Sequence, residues 1–425
     1  MSASPSPSHF DIVVVGAGPS GLCFAQALAG SGLSVAVVER QPRAALAAPA
    51  DDGREIALTH RSQRILQSLG LWSRFAPEEV ATLRDALVLD GASPEGLRFR
   101  HEDSGKPQLG WLVSNFAIRR AAFDAFAAGI EAEGAAVLRD GVRVTGLQRR
   151  DDGIDLALDT DETLRASLVV SADSRFSETR RAMGIAATMR DFGKTMLVCR
   201  MRHAEPHAQT AWEWFDYGQT LALLPLHDPH VSSVVLTVSH AEAQALQAMD
   251  AEAFSADITR RFLGRLGAMT FIGPCCAYPL VGVYPERFTA ERFATIGDAA
   301  VGMHPVTAHG FNFGLRGADA LATRLREAHA AGRPFWSASL LRRYAIEHRI
   351  ATRPLYLATQ TLAGVYTDDS RPAKFVRRAA LRLAQRATPF RKIVMSGLTD
   401  EGDGRSALGL LGRAADRLAL LRAGR

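Results

Sequence analysis

The apolar positions of the chain change period along its length. Asp11 to Val15 is a run of aliphatic, mostly β-branched residues, the pattern of a strand buried on both faces, and it enters Gly16-Ala17-Gly18-Pro19-Ser20-Gly21 directly. Leu22, Ala25, Leu28 and Ala29 then recur at helical spacing until Gly30 and Gly32, with Pro19 suited to the first turn of that helix. Ser34 to Val38 is a second strand, closed by Glu39 and Arg40. Strand, glycine turn, helix and terminal acid together make a dinucleotide-binding fingerprint. Gly16 permits the tight turn, Gly18 lets the backbone approach a pyrophosphate, and Gly21 lets helix and strand pack closely, while the helix N-terminus offers N–H groups to the phosphates. Glu39 sits where a carboxylate would accept from a ribose hydroxyl.

After a surface loop expected over Arg43 to Gly53, Arg54 to Leu58 lead into a helix from Ser62 to Leu69. Arg54 reads equally as a solvated loop arginine and as a residue lying against a cofactor. Leu87 to Asp90, Leu97 to Arg100 and Gly110 to Val113 have the length and composition of short strands, and Asn115 to Gly129 that of a helix with Ile118, Ala122, Phe123 and Phe126 on one face. Val137 to Leu147 and Ile154 to Leu158 alternate as strands, and Leu168 to Ala172 is an apolar strand ending at Asp173-Ser174-Arg175. From Met196 to Tyr284 the runs are short, closely spaced and separated by turns, which predicts an inserted antiparallel sheet, with one helical stretch over Ala241 to Leu266. Trp212, Trp214, Phe215 and Tyr217 make its second strand the most aromatic part of the chain, as sheet core or as the lining of an apolar pocket. Phe293 to Ile296 then leads to Gly297-Asp298, and a loop holding His304, Pro305, His309 and Gly310 precedes a helix from Phe311 to His329. The chain therefore returns to the first unit and presents it with a second helix N-terminus.

Composition changes this picture little. The 425 residues are 47% hydrophobic and 22% charged, as in ordinary globular proteins, and a net charge of +5 over this length is no argument for nucleic acid. Cys23, Cys199, Cys275 and Cys276 have neither metal-ligand nor disulfide-framework spacing, so a reducing cytoplasm and no metal are expected. Met1 to His9 has no basic start and no apolar run, so no signal peptide is expected. From Arg333 on the pattern is helical. Lys374, Arg378, Arg382 and Arg386 form a basic stripe beside Phe375, Ala379 and Leu383, readable as a solvated face or as one that rests on anionic lipid.

In order and spacing, Gly16 to Gly21 with Glu39, the Ala172-Asp173 to Arg180 segment, Leu223-Leu224-Pro225-Leu226, and Gly297-Asp298 through Pro305 to Asn312 and Gly314 resemble the single-component FAD-dependent aromatic hydroxylases, the group of para-hydroxybenzoate hydroxylase. Within it they look most like the ubiquinone-biosynthesis hydroxylases of the UbiH/UbiM type. The resemblance implies an α/β fold: a glutathione-reductase-type FAD-binding Rossmann domain over 9–75, 112–182 and 285–330, a substrate domain over 76–111 and 183–284, and a helical region over 331–425. It implies non-covalent FAD on Gly16, Gly18, Gly21, Glu39, Arg40, Arg54, Asn115, Asp173, Asp298, Pro305, Gly310, Phe311 and Asn312. His304 and His309 are candidates for catalytic roles at the flavin or at a phenol, and read equally as histidines that stabilise their loop. The family's chemistry is reduction of flavin by NAD(P)H, addition of O2 to give a flavin hydroperoxide, and oxygen transfer to an aromatic ring. The expected substrate is a polyprenylated phenol or quinol of ubiquinone biosynthesis, met by a cytoplasmic protein that could contact the inner membrane or a quinone-biosynthesis complex through 371–395. A soluble phenolic acid, or a structural FAD-binding subunit, is the alternative. Ser174 stands where the family usually has glycine, and Ala308-His309-Gly310 replaces a common glycine-glutamine-glycine.

Overall fold

The computed structural model describes residues 8–91, 96–216, 218–303 and 310–367, with side chains described up to Thr359. Its central sheet contains five parallel strands in the spatial order Ala136–Asp140, Val35–Glu39, Ser8–Val15, Thr163–Ser171 and Phe293–Thr295. Counted along the chain the order is 3-2-1-4-5, a doubly wound sheet, and such sheets bind ligands beyond the carboxyl ends of their strands. Ile12 pairs with Val35 on one side and Leu168 on the other, and Ile12, Val13 and Val14 are fully buried. Double-sided burial explains the unbroken apolar run, and each such side chain contributes roughly 1.5–3 kcal/mol. Ile12, Val14, Val35 and Val37 pack with residues of helices Pro19–Gln26, Asn115–Phe126 and Gly310–Ala330. Val13, Val15, Ala36 and Val38 pack on the opposite face with the hairpin Val144–Arg149 and Ile154–Leu158.

A second sheet has seven strands in the order Met269–Pro285, Ala187–His203, Val231–Ser239, Gln219–Pro225, Thr210–Asp216, Asp85–Asp90 and Leu97–Phe99. Every pair is antiparallel except Thr210–Asp216 with Asp85–Asp90, which runs parallel and joins a strand from the earlier part of the chain. One face of this sheet packs Leu197, Trp214, Leu221, Leu223 and Leu236 with Leu246, Phe254 and Ile258 of helices His240–Gln247 and Ala251–Arg261. A small third sheet joins Glu55–Leu58, Gly110–Ser114 and Val80–Leu83.

Three local expectations are corrected. Arg43–Ala47 is a short helix rather than loop, started by Pro42 and held by Arg43, whose backbone N–H donates to Asp140 (2.6 Å) and whose guanidinium donates to Glu131 (2.8 Å). Val137 to Leu147 is two strands, Ala136–Asp140 and Val144–Arg149, because Gly141 turns the chain at φ +69°. The helical stretch after Ala241 breaks at Asp250, whose carboxylate caps the following helix by accepting from the Ala253 N–H (2.8 Å). Among the described residues no helix is long and apolar enough to cross a membrane. The basic stripe from Lys374 to Arg386 lies outside the described residues.

Candidate active site

The carboxyl ends of strands Ser8–Val15, Thr163–Ser171 and Phe293–Thr295 meet at one place. Gly16 has φ +106°, and a β-carbon there would fall 2.6 Å from the Ala172 carbonyl oxygen, so the first and fourth strands can end side by side only with glycine at this position. At Gly21 a β-carbon would fall 2.0 Å from the Gly16 carbonyl oxygen, which fixes how closely helix Pro19–Gln26 lies against the turn. Gly18, the N-cap residue, has open space around it and brings no side chain to the N–H groups of the first helical turn. Those donors are left for a ligand, and the helix dipole favours an anionic one.

Around this turn the polar groups are held by backbone. The Glu39 carboxylate accepts from the N–H groups of Ala17 (2.7 Å) and Gln41 (2.9 Å). Asp173 accepts from the Ser171 hydroxyl (2.6 Å), the Thr179 hydroxyl (3.0 Å) and the Thr179 N–H (3.1 Å). Ser174 follows with φ +90°. Arg175 bridges outward, donating to Asp298 (3.2 Å) and to the Val281 carbonyl (3.1 Å).

The next stretch of wall is a network centred on Asp52. Its carboxylate accepts from Arg54 Nε (3.0 Å) and Asn115 Nδ2 (2.7 Å), its carbonyl accepts from the Tyr278 hydroxyl (2.7 Å), and the Arg54 guanidinium stands 5.2 Å from the centre of the Tyr278 ring. Burial opposes the charge on Arg54, but hydrogen bonding and attraction from Asp52 outweigh it and hold the Arg54 pKa above its ordinary value. Beside it Glu55 is pushed up to about 7 by burial, against the opposing pull of Arg200, whose guanidinium donates to it at 3.0 Å. Asn312 is buried at the start of helix Gly310–Ala330; it accepts from the Thr59 N–H (3.1 Å) and donates to the Ala57 carbonyl (2.7 Å), so it ties that helix to the third sheet.

Glu39, Arg54, Glu55, Asn115, Asp173, Arg175, Tyr278, Asp298 and Asn312 line one continuous cavity of about 1620 Å³, and Asp52 acts on it through Arg54, Asn115 and Tyr278. The cavity continues from the glycine turn onto the free face of the seven-stranded sheet, where the walls become apolar: Val88, Leu97, Met196, Val198, Phe215, Ala222, Leu224 and Val235. Usual small-molecule sites are about 300–1,000 Å³, so there is room for a dinucleotide and a second molecule.

Of the residues the sequence singled out, Gly16, Gly18, Glu39, Arg40, Arg54, Asn115, Asp173, Asp298, Gly310, Phe311 and Asn312 all line this cavity. Gly21 sits behind the turn, as its packing role requires. His304, Pro305 and His309 lie outside the described residues, as does Tyr217. The aromatic strand divides: Trp214 and Trp212 pack with the residues on the two helices, both against Phe262, whereas Phe215 faces the cavity, whose lining Trp212 also reaches. Sequence reasoning missed Asp52, Glu55, Tyr278 and Glu213. The pair of acids before Arg54 carries only a weak signal, since Asp51-Asp52-Gly53 reads first as a turn.

A family model described as an FAD binding domain matches residues 9–353. The ubiquinone hydroxylase UbiM of Neisseria meningitidis is 44% identical over 395 residues, covering 92% of this chain and 85% of that protein. The ubiquinone hydroxylase UbiL of Rhodospirillum rubrum is 34% identical, covering 91% and 88%. Among solved structures, PqsL of P. aeruginosa in complex with 2-aminobenzoylacetate superposes with a TM-score of 0.73 at 22% identity, over 86% of this chain and 99% of that one. At that identity the likeness is one of fold.

Proposed function

The chain belongs to the FAD binding domain family, and from that premise we propose that it is an FAD-dependent monooxygenase that hydroxylates the ring of a lipophilic phenol or quinol in ubiquinone biosynthesis. The observation that carries the reading is the continuous cavity, dinucleotide-like at one end and apolar at the other. The uncapped helix end at Gly18 and the open approach to it fit a pyrophosphate. In this reading Gly16, Gly18 and helix Pro19–Gln26 hold the phosphates, Glu39 and Arg40 the adenosine half, and Asp173 and Asp298 the ribityl side. Arg54, Asn115, Gly310, Phe311 and Asn312 border the flavin, and Pro305, His304 and His309, which lie outside the described residues, are assigned to the same site from the sequence. Bound FAD supplies the redox chemistry, with NAD(P)H as reductant and O2 as co-substrate. The chain's own task is to bind, to orient the ring and to keep water out, and the apolar sheet face suits the last.

On this basis the chain divides into a cofactor part over 9–75, 112–182 and 285–330, a substrate part over 76–111 and 183–284, and a C-terminal region over 331–425 that includes the helix Ala338–Thr367. Segment 371–395 is the part we assign to contact with anionic lipid or with a partner in quinone synthesis, on its basic composition. The test is purification, FAD titration, and measurement of O2 uptake with NAD(P)H and a prenylated phenol. A yellow protein that gives a product one oxygen heavier supports the reading. No flavin absorbance after FAD is added, or equal turnover of a chainless phenolic acid, overturns the cofactor or the substrate assignment respectively.

A further inference from the structure

Among the described residues, the cavity face of the seven-stranded sheet carries one carboxyl group. Across the strands, Leu97, Val88, Glu213, Ala222, Val235 and Val198 form a single hydrogen-bonded row, and all six line the cavity. Along its own strand the neighbours of Glu213 on the same face are Ala211 and Phe215, and both line the cavity. The row behind it, Phe215, Thr220, Thr237 and Met196, brings only two threonine hydroxyls. No described residue gives the Glu213 carboxyl a hydrogen bond or an ion pair, whereas Glu39, Asp52, Glu55, Asp173 and Asp298 are all partnered. The side chain is half-buried, open to the cavity and walled by apolar groups, and desolvation without a compensating partner pushes its pKa up to about 8. A substrate that fills the cavity takes away the water this carboxyl keeps, and a carboxyl stripped of water without a partner is costly. The position therefore calls for a polar group on the substrate itself.

We propose that Glu213 is the polar anchor of the substrate, hydrogen-bonding the ring hydroxyl of a phenol whose remaining surface lies on the apolar sheet face. This rests on the hydroxylase reading above and names the group that orients its substrate. With one anchor on an otherwise apolar wall, the ring hydroxyl fixes which edge of the ring is turned back toward the glycine-turn end of the cavity. Glu213 is thereby a specificity-determining residue, and one that discriminates by hydrogen bonding rather than by size. A site built to bond a hydroxyl rejects the analogue that lacks it much more strongly than an apolar pocket can reject an added methyl group.

The experiment uses the FAD-loaded protein with ortho-geranylphenol and geranylbenzene, which lacks the ring hydroxyl, binding being followed by the change in flavin absorbance. The parent should prefer the phenol about tenfold, the effect of one hydrogen bond to a buried carboxyl. In Glu213→Leu the two compounds should bind within about twofold of each other, and Glu213→Gln, which can still bond a hydroxyl, should recover most of the preference. FAD content of each variant is the control for folding. Removal of a lone carboxyl from an apolar wall should not unfold the sheet, and a merely structural role would weaken both compounds together. A parent that hydroxylates geranylphenol while Glu213→Leu keeps the full preference overturns the anchor alone. A parent that binds neither compound overturns both the anchor and the hydroxylase reading.

Discussion

Ser174 offers a way to measure what the turn beside the glycine fingerprint costs. It has φ +90°, yet its neighbours leave it no other conformation: Asp173 is held by three hydrogen bonds, and the Ser174 carbonyl accepts from the Ser177 N–H (3.1 Å), which in turn opens the helix Glu178–Ala182. The Ser174 hydroxyl makes no hydrogen bond to any described residue, and the side chain is exposed, so no contact offsets the strain. A side chain in left-handed backbone costs about 1–2 kcal/mol. Glycine removes that cost but gains freedom in the unfolded chain worth about 0.5–1 kcal/mol. Ser174→Gly should therefore stabilise the FAD-loaded protein by ~0.5–1 kcal/mol, a rise in Tm of about 1–3 °C. Ser174→Ala keeps the β-carbon and should leave Tm where it is. Scanning calorimetry of the three proteins at equal FAD loading measures both. If alanine stabilises as much as glycine, or glycine lowers Tm, backbone strain is not what Ser174 carries.

Gly21→Ala puts a β-carbon 2.0 Å from a backbone oxygen that has no room to yield, so helix Pro19–Gln26 must move off the turn. We expect an overpacking cost of about 1–3 kcal/mol and a protein purified without FAD, read from the ratio of flavin to protein absorbance; stoichiometric flavin would refute it. For Glu213 the sign of the pH dependence is fixed by a pKa raised from 4.5 to about 8. Between those values the folded state keeps a proton that the unfolded state has lost, so stability falls as pH rises through the window. Glu213→Gln should match the parent below pH 4.5 and exceed it above pH 8. The limit at ~1.4 kcal/mol per pH unit is near 5 kcal/mol, and water reaching the cavity reduces the expected difference to about 2 kcal/mol. Urea unfolding at several pH values measures it, and a difference that does not change with pH is the refuting result.

The parallel sheet and its glycine turn are legible because each rests on local chemistry. A strand buried on both faces must be apolar throughout, and only glycine fits at Gly16 and Gly21, so pattern and residue type point the same way. The Asp52 network was not legible for the opposite reason. Asp52, Asn115 and Tyr278 are separated by 63 and then 163 positions along the chain, and their meeting depends on how the third sheet is set against the second. The ambiguity of Arg54 in the sequence is the same problem seen from one residue: its spacing is compatible with solvent, and only Asp52 and the Tyr278 ring decide against it.

Glu213 tests how far alternation can be read. In Trp212-Glu213-Trp214-Phe215 a period of two puts the tryptophans on one face and Glu213 with Phe215 on the other, and the usual inference is that the face with the charge meets water. The assignment of residues to faces is right. The identity of the second face is not given by the strand itself, because it depends on Val88, Ala222, Val235 and Val198, which belong to four other strands, one of them more than a hundred positions earlier. When those four are apolar, the charge-bearing face cannot be an ordinary solvated surface, and a carboxyl on it needs either a partner in the protein or one from outside. Phe215 shares that side with Glu213, but a single exposed aromatic is common, so only the four neighbouring strands show that the face lines a cavity.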